Sequence, residues 1–249
     1  MIFSHGRDLG DIVMSLPAIK ARGGGELHLY IDPLVSCHGM TPRRVNFIRP
    51  LLEAQPYITK VVYPAEPHAP VDVDFGRNWR ISASLRRSLM DVFCAEASVD
   101  PNCANEPWLE LGERIGPAFG TRKIVIARSP RREHPFFPWR NILERLDRME
   151  HRIIFFGTED ERERLSRFCG LQIPESPQLN ALQWGKVVAE SSLFIGNSSL
   201  PMWIAEGLKV PILAEIAAPN HDSHVCRGGR WEMSSMACDY ESIFDTLGL

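Results

Sequence analysis

The chain has 249 residues, 44% hydrophobic and 24% charged, an ordinary globular composition with length for one large domain or two smaller ones. A net charge of −3 shows no nucleic-acid footprint, and the local cluster of Arg128, Arg131, Arg132 and Arg140 suggests a small anion rather than a polymer, so no nucleic acid partner is expected. Six scattered cysteines without Cys-x-x-Cys spacing exclude a disulfide scaffold, and no apolar run approaches the ~20 residues of a membrane span.

The N-terminus "MIFSHGRDLGD" lacks a basic, apolar leader, so the protein is expected to be cytoplasmic with reduced thiols; peripheral membrane contact stays open. A short strand over 1–4 runs into the loop "HGRDLG", then a helix over 11–21 with Pro17 expected near its first turns. "ELHLYI" alternates and reads as a strand, and the pattern predicts a helix beginning near Pro50. "ITKVVYP" and "PVDVDFG" read as strands, "SLRRSLMDVFCAEA" as an amphipathic helix, and "NEPWLEL" as an extended piece. Residues 112–123, rich in glycine, interrupt the pattern. After them come strand "KIVIAR", loop "SPRREHPFFP", helix "WRNILERLDRM", strand "RIIFFG", helix "EDERERLSRF" and a short strand near "LQIP". Helix "LNALQWGKVVAES", strand "LFIGN", helix "PMWIAEGL" and strand "VPILAEI" follow, and "DYESIFDTLG" in the weakly periodic tail predicts a last short helix. Strands alternating with helices imply parallel sheets. The expected fold is α/β with two Rossmann-like domains, 1–117 and 118–249, facing a central cleft.

Ligands of open α/β sheets bind beyond the carboxyl ends of the strands. The loops at those ends are "SHGRDLGD", "ARSPRREHPFF", "FGTEDE" and "GNSSLP". In the first, Gly10 permits a sharp turn, and Asp11 is either a helix N-cap or a general base. In the second, Arg128, Ser129, Arg131 and Arg132 suit a diphosphate, since guanidinium groups match phosphate oxygens in pairs. In the third, Gly157 leaves a strand, Thr158 or Glu159 caps a helix, and Glu159 or Glu161 is a candidate nucleoside contact. In the fourth, Asn197, Ser198 and Ser199 precede Pro201, which fits a first helical turn whose N–H groups form an anion site. Glu206, further along that helix, is a candidate for the ribose hydroxyls. Two other patterns, "DVD" at 72–74 and "HDSHVC" at 221–226, hold ligand-type side chains but lack the second cluster of a metal site, so no metal is expected.

"LGDIVMSLPAIKA" resembles the N-terminal signature G-D-x-x-x-x-x-P-A of the heptosyltransferase-like glycosyltransferases (glycosyltransferase family 9, GT-B fold). "IGNSSLPMWIAEGLKVPIL" is similar to their C-terminal motif, typically G-N-D-[ST]-G-x-x-H-x-A-x-x-x-G-x-P, and the order of elements between also matches. The resemblance implies an inverting, metal-independent transferase. It would move a heptose- or hexose-like sugar from a nucleoside-diphosphate sugar to the hydroxyl of a glycan, lipid or small-molecule acceptor. Asp11 would be the base, and the donor, a substrate rather than a cofactor, would lie mainly on the C-terminal domain. This chain has Ser198 where the family has Asp, Leu200 for Gly and Trp203 for His, and the lysine before the Trp-Pro element has no clear equivalent. Two alternatives stand beside this reading: a nucleotide-sugar epimerase or hydrolase of the same fold, because such enzymes carry similar Gly-Asn-Ser-Ser turns, and a non-catalytic nucleotide-sugar binder, which the departures support.

Overall fold

The computed structural model describes residues 1–31, 40–67, 69–76, 88–112, 123–216, 230–233 and 244–245. Two parallel sheets follow one another along the chain. The first has order β3-β2-β1-β4, from β1 (Ile2–His5), β2 (Gly25–Leu29), β3 (Ile58–Val62) and β4 (Val73–Asp74). The second has order β6-β5-β7-β8-β9, from β5 (Lys123–Ala127), β6 (Arg152–Phe155), β7 (Leu193–Asn197), β8 (Ile212–Glu215) and β9 (Arg230–Met233). Strand order reverses beside β1 in the first sheet and between β5 and β7 in the second. A crevice opens at such reversals because successive crossovers leave to opposite faces.

The helices are α1 (Leu9–Ala21), α2 (Pro42–Glu53), α3 (Leu89–Glu96), α4 (Trp139–Arg148), α5 (Glu159–Cys169), α6 (Ala181–Ala189) and α7 (Leu200–Leu208). Two expectations about proline fail. Pro17 sits deep inside α1, and α2 begins at Pro42 rather than near Pro50. Thr41 caps α2 by accepting the Arg44 N–H, and a proline in the first turn gives up no helical bond. Pro50 is then carried inside the helix, whose buried Val45, Ile48, Leu51 and Leu52 repay the lost bond. The expected strand at 70–76 shrinks to two residues, and "LQIP" forms none. β9 lies in the tail that periodicity left blank. Of the expected tail helix only Phe244 and Asp245 lie among the described residues. The 221–226 cluster and residues 113–122 of the interdomain stretch lie outside them.

Period-two alternation divides the second sheet's side chains between two cores. Val125, Ala127, Phe194, Ile212 and Ala214 face one way, into a core shared with α1, α2, α3, α6 and α7. Ile124, Ile126, Leu193, Ile195 and Leu213 face the other way, toward α4, α5 and Phe244. The larger core therefore runs through both halves. α1 packs on α7 and α2 on α6, the latter through Phe47 edge-on to Trp184, which stacks on Phe156. Between the halves, the N–H groups of Trp108 and Leu109 both donate to the Gly207 carbonyl. A Cβ at Gly207 would stand 2.6 Å from Leu109 Cγ, so only glycine admits this strap. No helix among the described residues is long and apolar enough to cross a membrane.

Candidate functional site

The N-termini of α1 and α7 meet where the two crevices face each other. A Cβ on Gly10 would lie 3.1 Å from Trp203 Cδ1 and 3.6 Å from the Leu200 amide nitrogen. Gly10, the second residue of α1, is one contact between the halves and lies in the helix rather than in the sharp turn expected of it. Both helices begin with a polar N-cap residue, Asp8 and Ser199, whose side chain makes no cap hydrogen bond. Thr41, Ser88, Thr158 and Asn180 do cap α2, α3, α5 and α6. Ser199 instead donates to the Asn197 carbonyl at 3.0 Å. The first-turn amides of α1 and α7 thus carry their partial positive charge into the same space.

Asp11 is not the N-cap: the helix starts at Leu9, so Asp11 occupies its third position. Its carboxylate pairs with Arg7 Nε at 3.1 Å and is mostly buried. Burial raises its pKa; the charges of Arg7, Arg132 and Arg131 pull it down, and that of Asp8 pushes it up. A raised pKa suits a base better than the lowered one a capping carboxylate would have. His5, at the end of β1, is buried beside Phe75 and Phe93 and accepts the Arg7 N–H on Nδ1. Burial and the Arg7 charge lower its pKa to about 3, so it stays neutral.

Asp8 reaches outward. Its Oδ1 accepts from Arg44 Nη2 on α2 at 3.1 Å, and its Oδ2 lies 3.4 Å from both Arg131 Nη atoms, in the loop after β5. One carboxylate therefore links the halves. Arg132 acts on Asp11 through its charge. With Arg7 and Arg44, four guanidinium groups stand near two carboxylates, a net positive field at two helix N-termini. Ser198 and Ser199, both partly exposed, complete the rim.

Other expected site residues are placed elsewhere. Arg128 continues the alternation of Ile124 and Ile126 and so points to the α4–α5 face. There it is 3% exposed, with Nε and Nη2 donating to Glu215 at 2.8–3.1 Å. It organises the loop instead of lining the cleft. Asn197 is fully buried and clips two strands together: its Oδ1 accepts the Ser129 N–H and its Nδ2 donates to the Ser129 carbonyl, each at 2.8 Å. Ser129 is thereby held at the switch point by its backbone. Glu206 is 1% exposed, with its carboxylate on Lys209 Nζ at 2.8 Å. It lies about 10 Å along the α7 axis from Ser199 at 1.5 Å per residue, so it does not face the cleft end. Gly157 and Glu159 follow the edge strand β6. Thr158 and Glu161 form a reciprocal capping box there, while Glu159 is exposed and bound to Arg162 of its own helix. Asp72 accepts the Ile2 N–H, and Asp74 accepts from Tyr30 Oη and the Gly76 N–H.

The sequence reading missed Arg7, Asp8, Arg44 and Glu215. The first two lie in the loop it singled out, with only their charge as signal. Arg44 comes from an element whose start was misplaced. Glu215 ends a strand and has no local signal. It accepts from Arg128, the His134 N–H (2.7 Å) and Trp139 Nε1 (3.1 Å), and so folds the whole basic loop over the sheet end.

No protein-family model and no curated protein sequence matches the chain. Solved structures do match. The glycosyl transferase family 9 structure from Veillonella parvula DSM 2008 superposes with a TM-score of 0.65 at 13% identity, covering 99% of this chain and 88% of that one. E. coli heptosyltransferase WaaC with ADP gives 0.63 at 11% identity, over 99% and 98%. The dodecameric iron-containing heptosyltransferase TibC, in complex with ADP-D-beta-D-heptose, gives 0.61 at 14% identity, over 95% and 63%. The chain has the α/β fold of these family 9 structures, with two parallel sheets in GT-B-like arrangement.

Proposed function

We propose that the protein is an inverting glycosyltransferase that uses a nucleoside-diphosphate sugar. The observation that carries this reading is Asp11: a mostly buried carboxylate with a raised pKa, set among arginines where the N-termini of α1 and α7 converge. Asp11 takes the proton of an acceptor hydroxyl as that oxygen attacks the anomeric carbon. The bond from that carbon to the diphosphate oxygen breaks, with inversion, and the nucleoside diphosphate leaves. Arg131, Arg132, the α7 amides and the Ser198 hydroxyl stabilise its charge. This cationic set does the work of a divalent ion, so the reaction is metal-independent. Two similar structures carry ADP or ADP-heptose, which puts an ADP-linked sugar first among donors. The acceptor is a glycan, lipid or small molecule, and the cytoplasm is the compartment that supplies such donors.

The test is ligand-dependent stability followed by turnover. ADP-, GDP-, UDP- and CDP-linked sugars are added to the folded protein, and a ligand at ~100 Kd raises stability by about 2.7 kcal/mol. Arg131→Gln/Arg132→Gln weakens that response, and Asp11→Asn keeps it while losing transfer. Sugar change or release with donor alone would favour the epimerase or hydrolase reading. Binding without turnover over a broad acceptor panel would favour the non-catalytic one. No response to any nucleotide sinks the proposal.

A further inference from the structure

On the far face of the second sheet, away from Asp11, a hollow of about 290 Å³ is lined by Arg128, Glu133, Arg164, Arg167 and Phe168. We propose that it is a second anion site, taking a phosphate-class oxyanion. The proposal is independent of the glycosyltransferase reading.

Three observations carry it. The first is an unsatisfied donor. Arg128 spends Nε and Nη2 on Glu215 and on the His134 carbonyl, but its Nη1 is buried with no hydrogen-bond partner. The nearest carboxylate oxygen, Glu133 Oε1, stands 3.8 Å away, beyond hydrogen-bond reach. Buried cationic N–H groups are rarely left without an acceptor.

The second is charge. Arg164 grips Glu133 with Nε at 2.6 Å and Nη2 at 2.8 Å, and that bond lowers the Glu133 pKa and keeps it ionised. Three guanidinium groups stand against Glu133 in the lining and Glu215 beneath Arg128, which leaves one positive charge over, matched by a phosphate monoanion.

The third is shape. The Phe168 ring lies 4.1 Å from the Arg128 guanidinium carbon and is 44% exposed. It covers the cation on one side and shows a flat apolar wall beside it, which suits a phosphate ester of a flat group as well as the free ion. Glu215 sets the floor: it holds Arg128 by Nε and Nη2 and leaves Nη1 on the Glu133 side.

The experiment is calorimetric titration of the whole protein with inorganic phosphate and, separately, phenyl phosphate, in a buffer free of other oxyanions. The Arg131→Gln/Arg132→Gln protein, which lacks the cleft arginines, is compared with the same protein also carrying Arg164→Gln/Arg167→Gln, both surface positions on α5. Circular dichroism checks that each variant is folded. Saturable binding by the protein without the cleft arginines, weakened at least tenfold by the α5 pair, is expected. Perturbation of the Arg128 side-chain ¹⁵N–¹H resonances by phosphate is the second readout. Tighter binding of phenyl phosphate that Phe168→Ala removes assigns the site to an ester; equal binding assigns it to the free ion. No saturable binding, or binding that survives in the α5 variant, overturns the proposal.

Discussion

Gly10 and Trp203 touch across the junction of the two halves: a Cβ on Gly10 would come within 3.1 Å of Trp203 Cδ1. Where the family motif has histidine, a large apolar ring packs against the turn that presents Asp11. A branched side chain at position 10 has no room, because the Leu200 backbone closes the other side. Gly10→Val is expected to destabilise the protein by about 1–3 kcal/mol through overpacking. Urea unfolding measures it, and a loss near zero would mean that the two helix ends are not in contact.

Asp11→Asn should stabilise the protein while abolishing transfer. The Asp11 pKa is raised in the folded state by burial, so the native state holds the proton more tightly than the unfolded one. Stability then falls as pH rises between the unfolded value and the raised folded value, and stays lower above it. Asparagine removes that loss. The variant should melt higher than wild type at neutral pH, with the gap closing as pH drops below the ordinary carboxylate range. A gap that persists in acid would assign the effect to something other than Asp11 ionisation.

Asp8 is a tuning group. Its negative charge pushes the Asp11 pKa up, and it holds Arg44 and Arg131 from the two halves. Asp8→Asn should lower the Asp11 pKa, both by removing a like charge and by freeing Arg131 to act on Asp11. Carboxyl ¹³C shifts followed against pH would show it without any substrate, and an upward movement would contradict the geometry.

His5 works in the opposite direction. Buried and neutral, with its pKa lowered to about 3 by burial and Arg7, it binds fewer protons folded than unfolded. Stability is therefore lost as pH falls from about 6.5 toward 3. His5→Gln should flatten that part of the stability profile, read by thermal melts across the range.

Glu215→Ala should be among the more damaging single changes outside the cleft. It strands the buried Arg128 guanidinium and removes the acceptor for the His134 amide and the Trp139 indole. Breaking a buried pair from one side costs about 3–5 kcal/mol. Replacing both partners, Arg128→Met/Glu215→Leu, should recover much of that, as a denaturant titration of the three variants would show.

The sequence by itself determined the alternation of strands and helices, and with it two parallel sheets and the loops at their carboxyl ends. Those signals are local. Period-two strands, glycine at turns and proline before α7 act within a few residues of where they are written. The same locality placed Asp11, Ser198 and Ser199 at helix starts. "PMWIAEGL" is apolar nearly all round, the mark of a helix buried on every side, and Glu206 accordingly lies inside and pairs with Lys209. Only the tertiary structure decided which basic residues share the cleft. Arg128 and Arg131 are three positions apart, yet one turns to Glu215 on the far face of the sheet and the other to Asp8 from the opposite half. Their destinations are set by partners 87 and 123 residues away in the chain. Pattern read along a sequence carries no such distance, because charge and burial act through space.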